Sequence, residues 1–170
     1  LWGTFIVTAL VVYFTQFLPY SYTVNSSIYA GVTNASSVTN EGFNLFSVNS
    51  TFDNLINIAK SKGTLEKVSV RLLATCLVYG DEYKDNHYIL AKHYRQLLQT
   101  VPKEVIALID RNSVEKTTEN LIKYRKPSRT NFVFTAFSHP RNPFFSYNAL
   151  NKINVKRLGN SDLIDINYTC

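Results

Sequence analysis

The chain has 170 residues, 45% hydrophobic and 18% charged, which is enough for one globular domain with its own core. Six glycines, five prolines, eleven phenylalanines and eleven tyrosines exclude collagen-like and disordered chains, and two cysteines exclude a disulfide-rich scaffold. The net charge is +6, and every lysine and arginine lies between Lys60 and Arg157. Such asymmetry is compatible with binding to nucleic acid or an anionic surface. However, the basic residues alternate with acidic ones, which is typical of solvated helix surfaces and favours no nucleic-acid partner.

Residues 1–18 (LWGTFIVTALVVYFTQFL) carry no charge. As a helix they would extend about 27 Å, close to the thickness of a bilayer's hydrocarbon core. Trp2 and Tyr13 suit interfacial positions, and Pro19 would stop the helix. A cleaved secretory signal would need a basic start and a small-residue cleavage site, and neither is evident. The sequence therefore predicts a single transmembrane anchor at 1–18.

Residues 19–50 are rich in serine, threonine, asparagine and tyrosine and show no helical periodicity. This predicts a stalk, or an extended segment lying over the domain, with a short strand near Val24–Val32. Four asparagines stand in glycosylation sequons and are candidate glycosylation sites if the chain faces a luminal or external compartment. They are Asn25, Asn34, Asn49 and Asn167.

Residues 51–170 are predicted to form the ectodomain, beginning with a compact bundle of about five helices. The predicted helices run from Ser50 or Thr51 to Gly63, from Thr64 to Gly80, from Asp85 to Thr100, from Pro102 through Ile109, and from Ser113 to Tyr124. The apolar face of the second is predicted to include Leu65, Val68, Leu72, Cys76 and Tyr79. Gly80 is expected to end that helix in a left-handed conformation.

A small β element is predicted after Pro127. The aromatic and β-branched segment Asn131–Phe137 is typical of a buried strand, and Leu163–Thr169 is expected to pair with it. The predicted class is therefore α+β and mainly α, with a transmembrane helix, a stalk, a helical bundle and C-terminal strands.

The chain lacks a phosphate-binding glycine loop and the common hydrolase and metalloprotease motifs. The densest titratable cluster consists of Asp81, Glu82, Asp85, His87 and His93. Its two histidines are six apart, off a common helical face, so helix capping and surface charge explain the cluster better than a metal site. No catalytic, metal-binding or cofactor-binding residue is therefore predicted.

Cys76 falls on an apolar helical stripe, where a thiol behaves as a small hydrophobic group. A disulfide between Cys76 and Cys170 and two free thiols are equally compatible with the sequence. The disulfide is kept as a candidate.

The segment His139–Phe145 combines two rigid prolines with Arg141, Phe144 and Phe145. Arginine and phenylalanine on a rigid turn resemble an interface anchor, so these three are the candidate partner contacts. A buried turn is the alternative.

The layout of anchor, stalk and helical domain, together with residues 72–82 (LLATCLVYGDE) and 120–127 (NLIKYRKP), resembles the baculovirus 19 kDa envelope protein family. That family is also called per os infectivity factor four, an envelope protein of occlusion-derived virus. The resemblance implies a non-enzymatic structural subunit of the envelope entry complex that supports oral infection of insect midgut cells. It also implies other envelope infectivity factors as partners, the virion envelope as location, and passage through host nuclear membranes during assembly.

Three alternatives stay open at this point. The first is a stand-alone single-pass membrane glycoprotein that binds a receptor, including one on the midgut cell surface, by itself. The second is an enzyme using the cluster between Asp81 and His93, and the third is a soluble basic nucleic-acid binder.

Overall fold

A computed structural model describes residues 2–15, 23–31, 45–139, 144–159 and 161–169. Within these ranges the chain forms eight helices and a three-stranded sheet, so the predicted α+β, mainly helical class is confirmed. The helices are α1 Trp2–Thr15, α2 Leu45–Lys60, α3 Lys62–Tyr79, α4 Ala91–Thr100, α5 Lys103–Ile106, α6 Val114–Tyr124, α7 Phe132–Ser138 and α8 Tyr147–Leu150. The strands are β1 Thr23–Tyr29, β2 Asn154–Arg157 and β3 Leu163–Thr169.

Helix α3 is the central element and packs against α2, α6, α7 and α8. Its main buried stripe, with i, i+3, i+4, i+7 and i+8 spacing, is Val70, Leu73, Ala74, Leu77 and Val78. Of the predicted face, Leu65 and Cys76 are buried, but Val68, Leu72 and Tyr79 are 42%, 36% and 49% exposed. The prediction is wrong for these three because both stripes are apolar in sequence. Only the positions of the neighbouring helices decide which stripe is covered.

The side of α3 that faces α6 and α7 is closed. Leu73 and Leu77 of α3 lie in one cluster with Val105, Leu121 and Val133, all with at most 1% exposure. Close packing of this kind supplies most of the stability of a domain of this size.

An ion pair also joins α3 to the end of α6. Arg125, the residue after α6, pairs with Glu66 of α3, and both side chains are largely buried. The guanidinium carbon of Arg125 lies 5.5 Å from the centroid of the Phe134 ring in α7. One arginine thus contacts groups from two further helices, which fixes the ends of α6 and α7 relative to α3.

Local capping signals set several helix ends as predicted. Ser113 precedes α6 and its hydroxyl oxygen accepts a hydrogen bond from the Lys116 backbone N–H at 3.1 Å. Pro102 directly precedes α5, and α6 ends at Tyr124. These three positions are confirmed, to within one residue, because each depends on neighbours in the sequence alone.

The boundary between α2 and α3 differs from the prediction. Ser61 is the N-cap of α3, with its hydroxyl accepting from the Thr64 N–H at 3.3 Å, so Thr64 is inside the helix rather than its cap. Gly63 also lies within α3 instead of closing the preceding helix. Helix α2 begins at Leu45, ahead of the predicted cap at Ser50 or Thr51 and inside the segment predicted as a stalk.

Helix α4 begins at Ala91 and not at Asp85. The Asp85 carboxylate still accepts a hydrogen bond from the Ala91 N–H at 2.7 Å. It thus satisfies one backbone N–H in the first turn of α4, although five loop residues separate it from the helix. Within that loop, the Asn86 side-chain oxygen accepts from the N–H groups of Tyr88 and Ile89 at 2.8 and 2.9 Å. These local bonds compete with helix formation and hold residues 85–90 in an irregular conformation.

Gly80 ends α3 for a reason other than the predicted one. Its φ is −60°, which is not left-handed, but a Cβ there would overlap the Tyr94 ring. Arg111 completes this end of the helix by donating to the carbonyl oxygens of Val78 and Gly80, both at 3.2 Å, and to the Tyr94 hydroxyl at 3.0 Å. Glycine is required here because another side chain occupies the space.

The strand predicted at Asn131–Phe137 is wrong, because this segment forms α7. Asn131 caps the helix by accepting from the Phe134 N–H at 3.1 Å and donates from its side-chain nitrogen to the Tyr124 carbonyl at 3.0 Å. The buried residues Val133, Ala136 and Phe137 follow a helical period. The cap and the packing of these side chains override the β propensity of the segment.

The sheet is antiparallel in the order β1–β3–β2, with Val24 opposite Tyr168 and Val155 opposite Ile166. The predicted strands near Val24–Val32 and at Leu163–Thr169 are confirmed. However, β3 pairs with β1 and β2 rather than with the segment predicted as its partner. Because β1 belongs to the predicted stalk, this part of the stalk lies against the domain.

Helix α1 lies within the predicted anchor, whose residues 1 and 16–18 are outside the described ranges. Among the side chains of α1 whose burial is described, the large apolar ones with more than half of their surface exposed are Ile6, Val7, Leu10, Val11 and Tyr13. Among the helices that the structure describes, none has both the length and the apolar character needed to cross a bilayer.

Candidate functional site

A groove of about 470 Å³ opens on the side of α3 opposite the closed core. It is bounded by α3, by residues 86–90, by α4 and by the turn that holds Phe144 and Phe145. The lining residues are Leu72, Cys76, Asn86, His87, Tyr88, Ile89, Leu90, His93, Gln96, Leu97, Thr100, Phe144 and Phe145. This volume is within the range of small-molecule sites, and the lining is mostly apolar with a few polar groups, as in such sites.

The floor of the groove consists of core residues. Cys76 and Phe145 are 5% and 3% exposed, so the groove reaches the packed interior. The Ser69 hydroxyl of α3 donates to the Phe145 carbonyl at 2.6 Å, and this buried bond fixes the turn against the helix. Packing and the buried Ser69–Phe145 hydrogen bond therefore both stabilise the floor.

The thiol of Cys76 lies at this floor and forms no disulfide with any residue that the structure describes. Burial raises the pKa of the Cys76 thiol to about 11 because the thiolate would lose its solvation. At neutral pH the group is protonated and is a poor nucleophile.

The mouth of the groove carries aromatic and imidazole rings. The His93 and Phe144 ring centroids are 5.5 Å apart, and Tyr79 stacks on Tyr88 with centroids 4.7 Å apart. Asn86 fixes this side of the mouth by donating from its side-chain nitrogen to the Tyr79 carbonyl at 2.7 Å. The rim is thus shaped by side chains from three separate parts of the chain.

Two of the predicted partner contacts can be located. Phe144 is 49% exposed at the mouth of the groove, whereas Phe145 is buried in its floor. Arg141 lies outside the described residues. Phe144 is therefore accessible to a partner, whereas Phe145 fits the alternative interpretation of a buried turn.

In the titratable cluster between Asp81 and His93, the carboxylates of Asp81 and Asp85 accept hydrogen bonds from backbone N–H groups. The Asp81 carboxylate accepts from the N–H groups of Tyr83 and Lys84 at 2.7 and 3.1 Å, and these bonds lower its pKa. Over the described ranges, no group of three or more histidine, cysteine or acidic side chains is arranged to hold a metal ion. Asp81 thus stabilises a turn of the loop and Asp85 accepts the Ala91 N–H at the start of α4, but neither is the N-cap residue of a helix.

The glycosylation and disulfide candidates are only partly located. Asn25 is exposed on β1, and its strand partner Asn167 donates from its side chain to Asp165 at 2.8 Å. Asn49 is exposed on α2, and its side-chain oxygen accepts from Arg157 at 2.7 Å. Asn34 and Cys170 lie outside the described residues, so glycosylation and the pairing of Cys76 with Cys170 stay predictions.

One wall of the groove could be predicted in part from the sequence. His93, Gln96 and Leu97 fall within the helix predicted from Asp85 to Thr100, and they line the same groove. The other wall, with Tyr88 and Phe144, could not be foreseen because these residues meet only through the tertiary fold.

Comparisons of this chain with known protein families, with curated proteins and with solved structures found no match.

Proposed function

We propose that this chain is a non-enzymatic, membrane-anchored subunit of a viral envelope entry complex, similar to the per os infectivity factors of occlusion-derived virus. In this proposal residues 1–18 anchor the chain in the virion envelope, and the external domain comprises the helices from α2 onward together with the sheet, which includes β1 from the segment predicted as a stalk. Its partners are other envelope proteins of the complex. The assembled complex supports oral infection of insect midgut cells, and the chain passes through host nuclear membranes during assembly.

The observation that carries the proposal is the surface of α1. Ile6 and Val7 are 60% and 61% exposed, and residues 1–18 hold no charged side chain. A continuous apolar surface of this kind is unfavourable in water and is favoured when lipid or a partner helix covers it. Residues 16–18 (QFL) continue the uncharged run in sequence and would bring the segment to about 27 Å as a helix.

Two features of the domain support a binding role over catalysis. The Cys76 thiol is held protonated by burial, and the Asp81 and Asp85 carboxylates accept backbone N–H groups at a loop and a helix start. The exposed Phe144 ring, by contrast, lines the same groove as the exposed residues Tyr88 and Leu90. Aromatic side chains at such a rim are typical anchors of protein interfaces.

The test is extraction of the native protein from virion membranes in mild detergent, followed by sizing and identification of its companions by mass spectrometry. We expect a large assembly that contains other envelope proteins. A Phe144→Ser variant should leave the assembly more readily, whereas Ile122→Ser, at a similarly exposed site on α6, should remain bound. Recovery of the wild-type chain as a lone monomer would contradict the proposal and favour the stand-alone receptor-binding glycoprotein.

A further inference from the structure

Strand β1 lies at the edge of the sheet, and its outer side meets no other strand within the described ranges. All seven of its residues are exposed, and Val24 and Ile28 keep 64% and 52% of their surface. The opposite edge is β2, which has only four residues and carries Lys156 and Arg157. Short length and charged side chains are the usual protection of a sheet edge against pairing. Strand β1 contains neither a charged residue nor a proline, so its edge is open to another strand.

The unpaired backbone groups of β1 follow from the ladder that it forms with β3. The Ala30 N–H, directly after β1, donates to the Asp162 carbonyl oxygen at 2.8 Å. Because hydrogen-bonded positions alternate in an antiparallel pair, the even-numbered residues of β1 bond to β3. Thr23, Asn25 and Ser27 therefore direct their N–H and carbonyl groups away from β3, and no backbone group in the described part of the chain meets them there. The outer edge thus presents a row of donors and acceptors with the spacing of a strand.

The sequence of β1, TVNSSIY, is self-complementary when two copies run antiparallel with their Ser26 residues opposite each other. Val24 of each copy then lies opposite Ile28 of the other copy. Asn25 lies opposite Ser27 at the hydrogen-bonded positions, and no charges oppose each other. A neighbouring register with the same hydrogen-bonded positions would place Val24 or Ile28 opposite Ser26 and lose these apolar pairs. The side chains of β1 therefore favour one register with a second copy of the same strand.

The apolar residues of β1 continue a face that already exists in the sheet. Within one copy, Ile28 lies opposite Ile164 and Val24 lies opposite Tyr168. Side chains that oppose each other lie on the same face, so Val24 and Ile28 share the face of these two β3 residues. Pairing through β1 would extend this face across the junction and bury part of the exposed surface of Val24 and Ile28.

We propose that β1 pairs with β1 of a second copy of this chain, so that the two sheets join into one continuous antiparallel sheet. The twofold axis passes between the two Ser26 residues. A strand of another protein could also satisfy the backbone groups, but β1 itself supplies the matching apolar and polar positions. The proposal goes beyond the proposed entry function and does not depend on it, because it rests on the edge of the sheet alone.

Cysteine cross-linking tests both the pairing and its register. The full chain carries Cys170→Ser, which leaves the buried Cys76 as its one native cysteine, and is purified alone in mild detergent. Mild oxidation should link Ser26→Cys into a dimer, because residues at a non-hydrogen-bonded position have Cα atoms about 4.5 Å apart, within disulfide reach. In the matched control Thr23→Cys, each cysteine faces Tyr29 of the other copy and lies about 20 Å from its equivalent. We expect at least tenfold less linked dimer from this control.

A charge on the edge tests the contact without cross-linking. Ile28→Lys places a lysine opposite Val24 of the other copy and should weaken dimerisation at least tenfold. Ile122→Lys is the control, since Ile122 on α6 is 48% exposed against 52% for Ile28, and it should dimerise like the wild type. Sedimentation in density-matched detergent over a series of protein concentrations measures the affinity, and circular dichroism checks the fold of each variant. The cross-linking decides if Ile28→Lys does not fold.

Three results would overturn the proposal. A wild-type chain that stays monomeric over the whole concentration series would leave the edge to a strand of another protein. Equal cross-linking through Thr23→Cys and Ser26→Cys would contradict the register. A folded Ile28→Lys chain that dimerises with unchanged affinity would show that the copies meet through another surface.

Discussion

The two sides of α3 have opposite structures although both are apolar in sequence. On one side, Leu73 and Leu77 are completely covered by α6 and its neighbours. On the other, Leu72 and Cys76 line a groove that remains open between α4 and Phe144. An apolar stripe in the sequence therefore predicts an apolar helix surface, but it does not show whether other helices of the same chain bury that surface.

The largest difference in the free energy of unfolding should be between alanine variants of leucines on the two sides of α3. Leu77→Ala removes a fully buried side chain and leaves a cavity, so we expect a loss of about 2 to 5 kcal/mol in the free energy of unfolding. Leu72→Ala truncates a side chain that is already 36% exposed and should cost about 1 kcal/mol or less. Urea unfolding of both variants measures the difference. Equal losses would show that the groove side is packed like the core.

Gly80→Ala tests the contact between the end of α3 and helix α4. The Tyr94 ring of α4 packs against Gly80, and the residue before it, His93, lines the groove. A Cβ at position 80 would overlap the Tyr94 ring and lie 2.5 Å from the Cys76 carbonyl oxygen. We expect a loss of about 3 kcal/mol from overpacking. Gly63→Ala is the control, since no heavy atom lies within 4 Å of its Cβ; it should be neutral or stabilising by up to about 1 kcal/mol. A neutral Gly80→Ala variant would contradict the packing described here.

Burial of the Cys76 thiol at the groove floor should make the free energy of unfolding depend on pH in the alkaline range. The thiol's pKa is about 11 in the folded chain against 9.0 for an ordinary cysteine, so the folded state keeps a proton that the unfolded state has lost. Stability should therefore fall as pH rises from 9 to 11, by about 2 kcal/mol more in the wild type than in Cys76→Ala. Urea unfolding at pH 8 and pH 11 provides the measurement. Parallel losses in the two proteins would show that the thiol is solvated.

The smallest effect is expected at an exposed ion pair away from both sides of α3. A hydrogen bond from Lys116, helped by the Asn112 N–H, holds the pKa of Asp110 below its usual value of 3.8. Because the folded pKa is lowered, this contribution is present above the unfolded pKa and is lost as pH falls through the folded pKa. Asp110→Asn should therefore lower the stability slightly at pH 7 and leave it almost unchanged at low pH, so that the acid limb becomes flatter; urea unfolding of both proteins at pH 7 and pH 3 measures this. An unaltered acid limb would show that solvent screens the pair completely.

Much of the helical domain followed from local sequence signals. The Ser113 cap and the Pro102 start depend on a few neighbouring residues, and both are where the sequence placed them. The strand predicted at 131–137 is wrong because the β propensity of its β-branched and aromatic residues does not reveal the capping role of Asn131. In the structure that cap and the helical spacing of the buried side chains decide the outcome.

The candidate site was less predictable than the helices. The relation of His93 to Leu97 is visible in sequence, since they are one helical turn apart. Their meeting with Leu72 and Phe144 depends on contacts between residues tens of positions apart, which no local pattern specifies. Phe145 illustrates the same limit, because a rigid aromatic turn is compatible with both an exposed anchor and a buried floor.

Membrane attachment through the N-terminal segment is the central claim of the proposed function, and flotation measures it most directly. The full chain is synthesised in the presence of vesicles, washed with alkaline carbonate and floated on a density gradient. We expect the wild type and Ile122→Lys to float with the vesicles. The double variant Val7→Lys/Leu10→Lys should be lost, because two lysines near the centre of the span cost about 5 kcal/mol or more. A wild-type chain that stays in the soluble fraction, or a double variant that floats equally well, would contradict the claim.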